Sequence, residues 1–159
     1  MINRKTTLHL ILLFSIFAVS AAYFIQYILG HQPCNLCLIE RIPYVVSTVL
    51  ILLFIFIQKF ERFFLIILSI TFIIAFVISF YHFGIEQGFI KESLVCDLNS
   101  NNTDLTKEAL LNQLKEVTVS CKDVTFKILG LSLATINIFT SLIIATITIK
   151  LFLTYEKNK

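Results

Sequence analysis

FFLIILSITFIIAFVISFY, Phe63 to Tyr81, carries no charge over nineteen residues. That is close to the ~20 residues a helix needs to cross a ~30 Å hydrocarbon core. Just upstream, Gln58–Arg62 joins this stretch to a second charge-free run, Ile42–Ile57, and so short a connection predicts a tight antiparallel helical hairpin. Two further runs, Leu8–Leu29 and Ile128–Ile149, complete a set of four. The composition agrees: of 159 residues, 57% are hydrophobic and only 14% charged, which is a membrane composition. The sequence therefore predicts an all-α membrane protein, a four-transmembrane-helix bundle in one domain, with spans at about 8–29, 42–57, 63–81 and 128–149. Two stretches lie outside the spans, 30–41 and 82–127.

Four spans place both termini on one side. The basic residues of the short segments, Arg4, Lys5, Lys59, Arg62, Lys150, Lys157 and Lys159, all fall on that side, which the positive-inside rule makes cytoplasmic. Of the remaining basic residues only Arg41 lies in a short loop; Lys91, Lys107, Lys115, Lys122 and Lys127 lie in the long one, where the rule has little force. Arg4 and Lys5 followed by an apolar run and the small residues Ser20, Ala21 and Ala22 also resemble a secretory signal, but the run continues to Leu29, too long for a signal core. A net charge of +3 without a basic, aromatic-interleaved patch argues against nucleic acid as a partner.

In the long loop Leu105, Leu110, Leu111, Leu114 and Val117 recur at roughly helical spacing, with Thr103 or Asp104 as a cap. A short amphipathic helix is expected there, lying on the membrane surface or packed on its own loop.

All four cysteines, Cys34, Cys37, Cys96 and Cys121, fall in the two loops assigned to the same outer side. Cysteines used as small apolar residues would be scattered through the spans; an even number gathered outside points to an oxidising compartment and disulfide chemistry. Cys34-Asn35-Leu36-Cys37 stands just before the second span. A helix starting near the motif would favour a thiolate, and Arg41 would share a face with Cys37. Pro43 disfavours helix at Ile42, so the helix starts either after Arg41 or, kinked, near Leu36. The CxxC can be a redox pair, half of a metal site, or a structural disulfide worth roughly 3 to 4 kcal/mol. A zinc site would pair it with a second close-spaced pair, which Cys96 and Cys121 are not; no metal is expected.

Cys34-Asn-Leu-Cys37-Leu-Ile-Glu40-Arg41 resembles the CxxC-x-x-E-R signature of DsbB, the bacterial disulfide bond formation protein B. The four spans, the short hairpin, the second cysteine pair in the long loop and Gly130-Leu131 after Cys121 are similar to that family as well. The resemblance implies a protein-dithiol:quinone oxidoreductase of the bacterial inner membrane, with the cysteines periplasmic. Its partner would be a DsbA-like thioredoxin-fold protein and its electron acceptor ubiquinone or menaquinone, in the system that keeps the bacterial periplasm oxidising. Cys96 would be attacked by the partner, Cys121 would bridge transiently to Cys34, and Cys37 would meet the quinone. Arg41 would stabilise negative charge at Cys37 or on a quinone oxygen. His82 and Glu86, in Tyr81-His82-Phe83-Gly84-Ile85-Glu86, resemble a family segment beside the quinone, so His82 would hydrogen-bond a quinone oxygen; Glu40 would orient Arg41 or the loop. The Asn-rich patch Asn99–Asn102 departs from some members and leaves the partner's identity open. The vitamin K epoxide reductase-like proteins share the bundle and CxxC chemistry, but the motif's place before span two favours DsbB. The rival reading is a non-catalytic membrane scaffold or metal-binding protein with structural cysteines.

Overall fold

The computed structural model describes residues 4–57, 60–91, 120–122, 127, 128 and 130–157. Helix α1 spans Arg4–Tyr27, a short α2 spans Asn35–Ile39, and α3 and α4 span Ile42–Phe56 and Glu61–Glu86. A two-residue ladder, β1 (Lys127–Ile128) with β2 (Leu131–Ser132), leads into α5, Leu133–Lys157. Four helical segments are long and apolar enough to cross a membrane, α2 and α3 counting as one. Cys96 and the amphipathic helix expected near 103–117 lie outside the described residues.

Hydrogen bonding continues past the point where the charge-free run stops. α4 runs on beyond Tyr81 to Glu86 and ends where Gly88, at φ 75°, adopts the left-handed conformation of a helix-terminating residue. The Phe89 and Ile90 amides then return to the Gly84 carbonyl. Gly84 lets this return pack closely: a Cβ there would stand 2.6 Å from Ile90 Cδ1, and the end of that side chain would have to shift. At the second span the chain combines both starts that Pro43 allows. α2 makes a single short helix, the chain breaks at Glu40–Arg41, and α3 restarts with Pro43 in its first turn, where its missing N–H costs nothing. α5 begins at Leu133 because the hairpin turn at Gly130, φ 85°, precedes it. Its first turn is capped by Ser132 Oγ, which accepts from the Thr135 amide at 3.2 Å.

α4 and α5 pack against each other most extensively. Their buried residues include Ala75, Ser79, Ala134, Ser141, Ala145 and Thr148, and such small side chains let two helices approach closely where no hydrophobic effect drives them together. α1 packs on α3, with Ser15 and Ser47 sharing a buried hydrogen bond of 2.9 Å. Leu8, Ile51, Leu65, Leu68, Phe72 and Ile144 form the core. Large apolar side chains such as Leu13, Phe17, Val77, Phe80 and Ile143 stay exposed on the outside, as a lipid-facing surface requires. At one end Arg4 meets Glu61 at 2.5 Å and lies over the Tyr155 ring at 5.3 Å, so the starts of α1 and α4 and the end of α5 gather there. The described cysteines stand at the opposite end.

Candidate active site

The backbone of Cys34 is extended, φ −71° and ψ 167°, and caps α2 with its sulfur, which accepts from the Cys37 amide at 3.3 Å. One turn of helix then brings Cys37 Sγ to 2.8 Å from Cys34 Sγ, both sulfurs being free thiols. Since α2 has five residues, the dipole effect expected of a long helix is small. The Cys34 thiol is nonetheless lowered to about 5, first by the hydrogen bond from the Cys37 thiol, against the opposing effect of burial, and then by the hydrogen bond and charge of His82.

The two sulfurs have different neighbours. Cys34 is 5% exposed, and its sulfur lies 3.5 Å from His82 Nε2. Cys121, 2% exposed and disulfide-bonded, joins them: Cys34 Sγ, Cys121 Sγ and a His82 ring nitrogen lie within 4.8 Å of one another. Two sulfurs and an imidazole in that arrangement resemble part of a zinc site, but a sulfur already in a disulfide lacks the thiolate charge that zinc ligands supply. Disulfide exchange needs this same proximity.

His82, on α4, is buried because partners on other elements satisfy it. Its Nδ1 is 2.9 Å from Glu40 Oε1, and since a carboxylate only accepts, Nδ1 carries a proton and donates it. Asn137 of α5 donates Nδ2–H to Glu40 Oε2 at 3.2 Å and to Ser79 Oγ at 2.7 Å. Asn137 Oδ1 in turn accepts from the Tyr44 hydroxyl. Glu86, one turn beyond His82, accepts from Ser132 Oγ at 2.5 Å, and its Oε1 is 3.8 Å from His82 Nε2. A continuous polar seam thus runs from Cys34 through His82, Glu40 and Asn137 to Tyr44, crossing α2, α4, α5 and α3.

Cys37 faces the other way. It lines a cavity of about 320 Å³ between α1, α3 and α5, whose walls include Phe14, Phe17, Ala21, Ile25, Leu133 and Ile136, with Arg41, Glu40, Tyr44 and Asn137 as polar groups. The volume and the few polar groups on an apolar wall are those of a small-molecule site. The space exists because α1 packs on α3 and makes little contact with α5 among the described residues. Arg41 donates to Gln26 Oε1 of α1 at 2.6 Å, and its guanidinium lies 5.2 Å over the Tyr23 ring. Cys37 and Arg41 therefore share the cavity, as their four-residue spacing suggests. His82 and Glu86 do not line it; they stand on the Cys34 side.

Asn137, Tyr44, Gln26 and Ser79 escaped the reading of the sequence. Asn137 and Gln26 had a legible signal, each a carboxamide within an otherwise apolar span, which hydrocarbon tolerates only with partners. The hydroxyls had none.

A multi-pass membrane bundle with a free dithiol beside a disulfide-bonded cysteine, and an apolar cavity on its far side, defines a membrane thiol–disulfide protein. The chain matches the family of disulfide bond formation protein DsbB across residues 4–151 and belongs to it. It is also 30% identical over 162 aligned positions to "Uncharacterized protein RP370" of Rickettsia prowazekii (strain Madrid E), covering 98% of this chain and 92% of that protein. No solved structure matches the chain significantly.

Proposed function

We propose that this protein is a protein-dithiol:quinone oxidoreductase of the bacterial inner membrane, with its cysteines periplasmic and both termini cytoplasmic. It oxidises a DsbA-like thioredoxin-fold partner and delivers the electrons to ubiquinone or menaquinone. The observation that carries the reading is the division of one CxxC pair, Cys34 toward Cys121 and Cys37 toward the cavity.

A partner thiolate attacks Cys96 in a Cys96–Cys121 disulfide, and the partner's second thiol then displaces Cys96, leaving with its own disulfide while Cys96 and Cys121 hold two electrons as thiols. The Cys121 thiolate attacks Cys34 in an oxidised Cys34–Cys37 pair, forming Cys34–Cys121 and expelling Cys37 as the thiolate. Cys96 then attacks Cys121, restoring its disulfide and releasing Cys34. The reduced Cys34–Cys37 pair gives two electrons and two protons to the quinone, which becomes quinol, and the CxxC disulfide is restored. Each sulfur step is an ordinary in-line exchange. The cavity suits a quinone: its wall is largely apolar for the ring and tail, and Arg41 offers a fixed cation near Cys37 for negative charge on an oxygen. Glu40 and Gln26 hold opposite sides of that turn, Glu40 through His82 and Asn137, Gln26 through Arg41.

The test is reduction of decylubiquinone by purified protein with a reduced thioredoxin-fold partner, followed by quinone absorbance. Cys37→Ser is expected to abolish it; turnover at the parental rate would end the proposal. Arg41→Ala is expected to weaken quinone use more than formation of the partner mixed disulfide, and equal losses would remove Arg41 from the quinone end. The Cys34, His82 and Cys121 cluster also favours a second reading, a metal-binding protein; zinc retained stoichiometrically through purification and released on thiol oxidation would support it.

A further inference from the structure

Cys34 raises a question of proton bookkeeping. Oxidising the pair joins Cys34 Sγ to Cys37 Sγ and removes two electrons and two protons. Cys37 lines the cavity and can lose its proton there; Cys34 is buried and is not among the residues lining it. With Cys34 as a thiolate, the second proton is the one held on the charged His82 ring beside it, and it needs another route.

We infer that His82 and Glu40 form a proton path from beside the Cys34 sulfur to the cavity wall. The path rests on the dithiol:quinone reading above and adds to it two side chains that move a proton without touching the disulfide. Each link is on hydrogen-bond geometry. Cys34 Sγ faces His82 Nε2 at 3.5 Å, within the range of a bond to sulfur. The opposite nitrogen, Nδ1, carries its hydrogen toward Glu40 Oε1 at 2.9 Å. In the charged ring Nε2 also carries a hydrogen, toward the Cys34 thiolate, and loss of that thiolate to the disulfide removes the charge that holds the second proton, which Nδ1 then releases. Glu40 belongs both to this bond and to the cavity wall, so a proton reaching its carboxylate has crossed from the Cys34 side to the acceptor side. Asn137 fixes the other oxygen, Oε2, at 3.2 Å, which keeps Oε1 aimed at the ring.

The groups facing this path are Cys37 from α2, Glu86 from α4 with Oε1 3.8 Å from Nε2, Asn137 from α5, and Cys121 beside Cys34. Glu86 is held by Ser132 and does not line the cavity, so it balances charge near the ring without offering an exit. When a quinone is bound it supplies the two-electron sink and accepts two protons; the chain's part is to deliver the second proton at Glu40. As the Cys34 thiolate becomes part of the disulfide, Nδ1 gives its proton to Glu40 Oε1, and the ring takes up one of the two protons released by the partner's dithiol when Cys34 is next returned as a thiolate.

The path can be tested with no quinone present, by infrared difference spectra of the parental protein with the CxxC pair reduced minus oxidised. A carboxyl difference band present in the parental protein and absent from both Glu40→Gln and His82→Gln is the expected result. No carboxyl difference band in the parental protein, or one that survives in His82→Gln, would overturn the path. In the assay with decylubiquinone both variants should be about 10²-fold slower than the parental protein, the scale of a lost positioned acid or base. Formate should restore part of the rate in Glu40→Ala by supplying a carboxylate. Rates within about twofold of the parental value in Glu40→Gln, together with loss in Cys37→Ser, would remove the path and leave the electron route intact; rates retained in Cys37→Ser would remove the electron route itself.

Discussion

The two sulfurs of the CxxC motif are 2.8 Å apart, yet their surroundings are of opposite kinds. On the Cys34 side four helical elements contribute hydrogen-bonding side chains and a second sulfur, and almost nothing reaches the surface. On the Cys37 side three helices leave a mostly apolar gap with an arginine in its wall. One turn of helix is enough to point neighbouring thiols toward a disulfide-bonded sulfur on one face and toward a cavity of small-molecule size on the other. A CxxC in water would have no such division; α2, wedged between α4 and the cavity, creates it.

The largest effect should come from removing the sulfur that faces the cavity. Cys37→Ser is expected to stop quinone reduction entirely while Cys34 still exchanges with Cys121. Next is the charge on the polar side. Because the Cys34 thiol is lowered to about 5, ultraviolet thiolate absorbance of the reduced protein should fall with a midpoint near that pH and be lost in Cys34→Ser. His82→Ala should move the midpoint upward toward the ordinary thiol value. The stability consequence has a definite sign. A folded thiol held below its unfolded value of 9.0 contributes stability fully present above that value, diminishing as pH falls and lost below about 5. Thermal unfolding in detergent across this range should show that slope, reduced in His82→Ala.

Smaller changes probe the seam. Asn137→Ala leaves Glu40 Oε2, the Tyr44 hydroxyl and Ser79 each short of a partner, and should destabilise by about 1–3 kcal/mol; an unchanged melting temperature would mean that the seam does not hold the bundle. Smaller again, Ser132→Ala removes the α5 cap and the bond to Glu86, with an expected loss of about 1 kcal/mol measured the same way.

Much of the architecture was legible because burying charge in lipid is costly: four charge-free runs could only be spans, and the short turn at Gln58–Arg62 forced a hairpin. Element ends were less legible. His82 and Glu86 looked like loop residues, since polar side chains ordinarily mark the end of a span, but Glu40 and Ser132, distant in sequence, allow α4 to carry them inward. The pairing of Cys37 with Arg41 could be read from helical spacing. That His82 serves Cys34 could not, because the CxxC motif does not reveal which sulfur faces α4.

The division between the two sulfurs is tested most directly by mapping disulfides in Cys37→Ser and Cys34→Ser proteins after treatment with a reduced thioredoxin-fold partner and mild reoxidation. Cys34–Cys121 is expected to accumulate in Cys37→Ser, with no Cys37–Cys121 bond in Cys34→Ser. Equal capture of Cys121 by either sulfur would contradict the account.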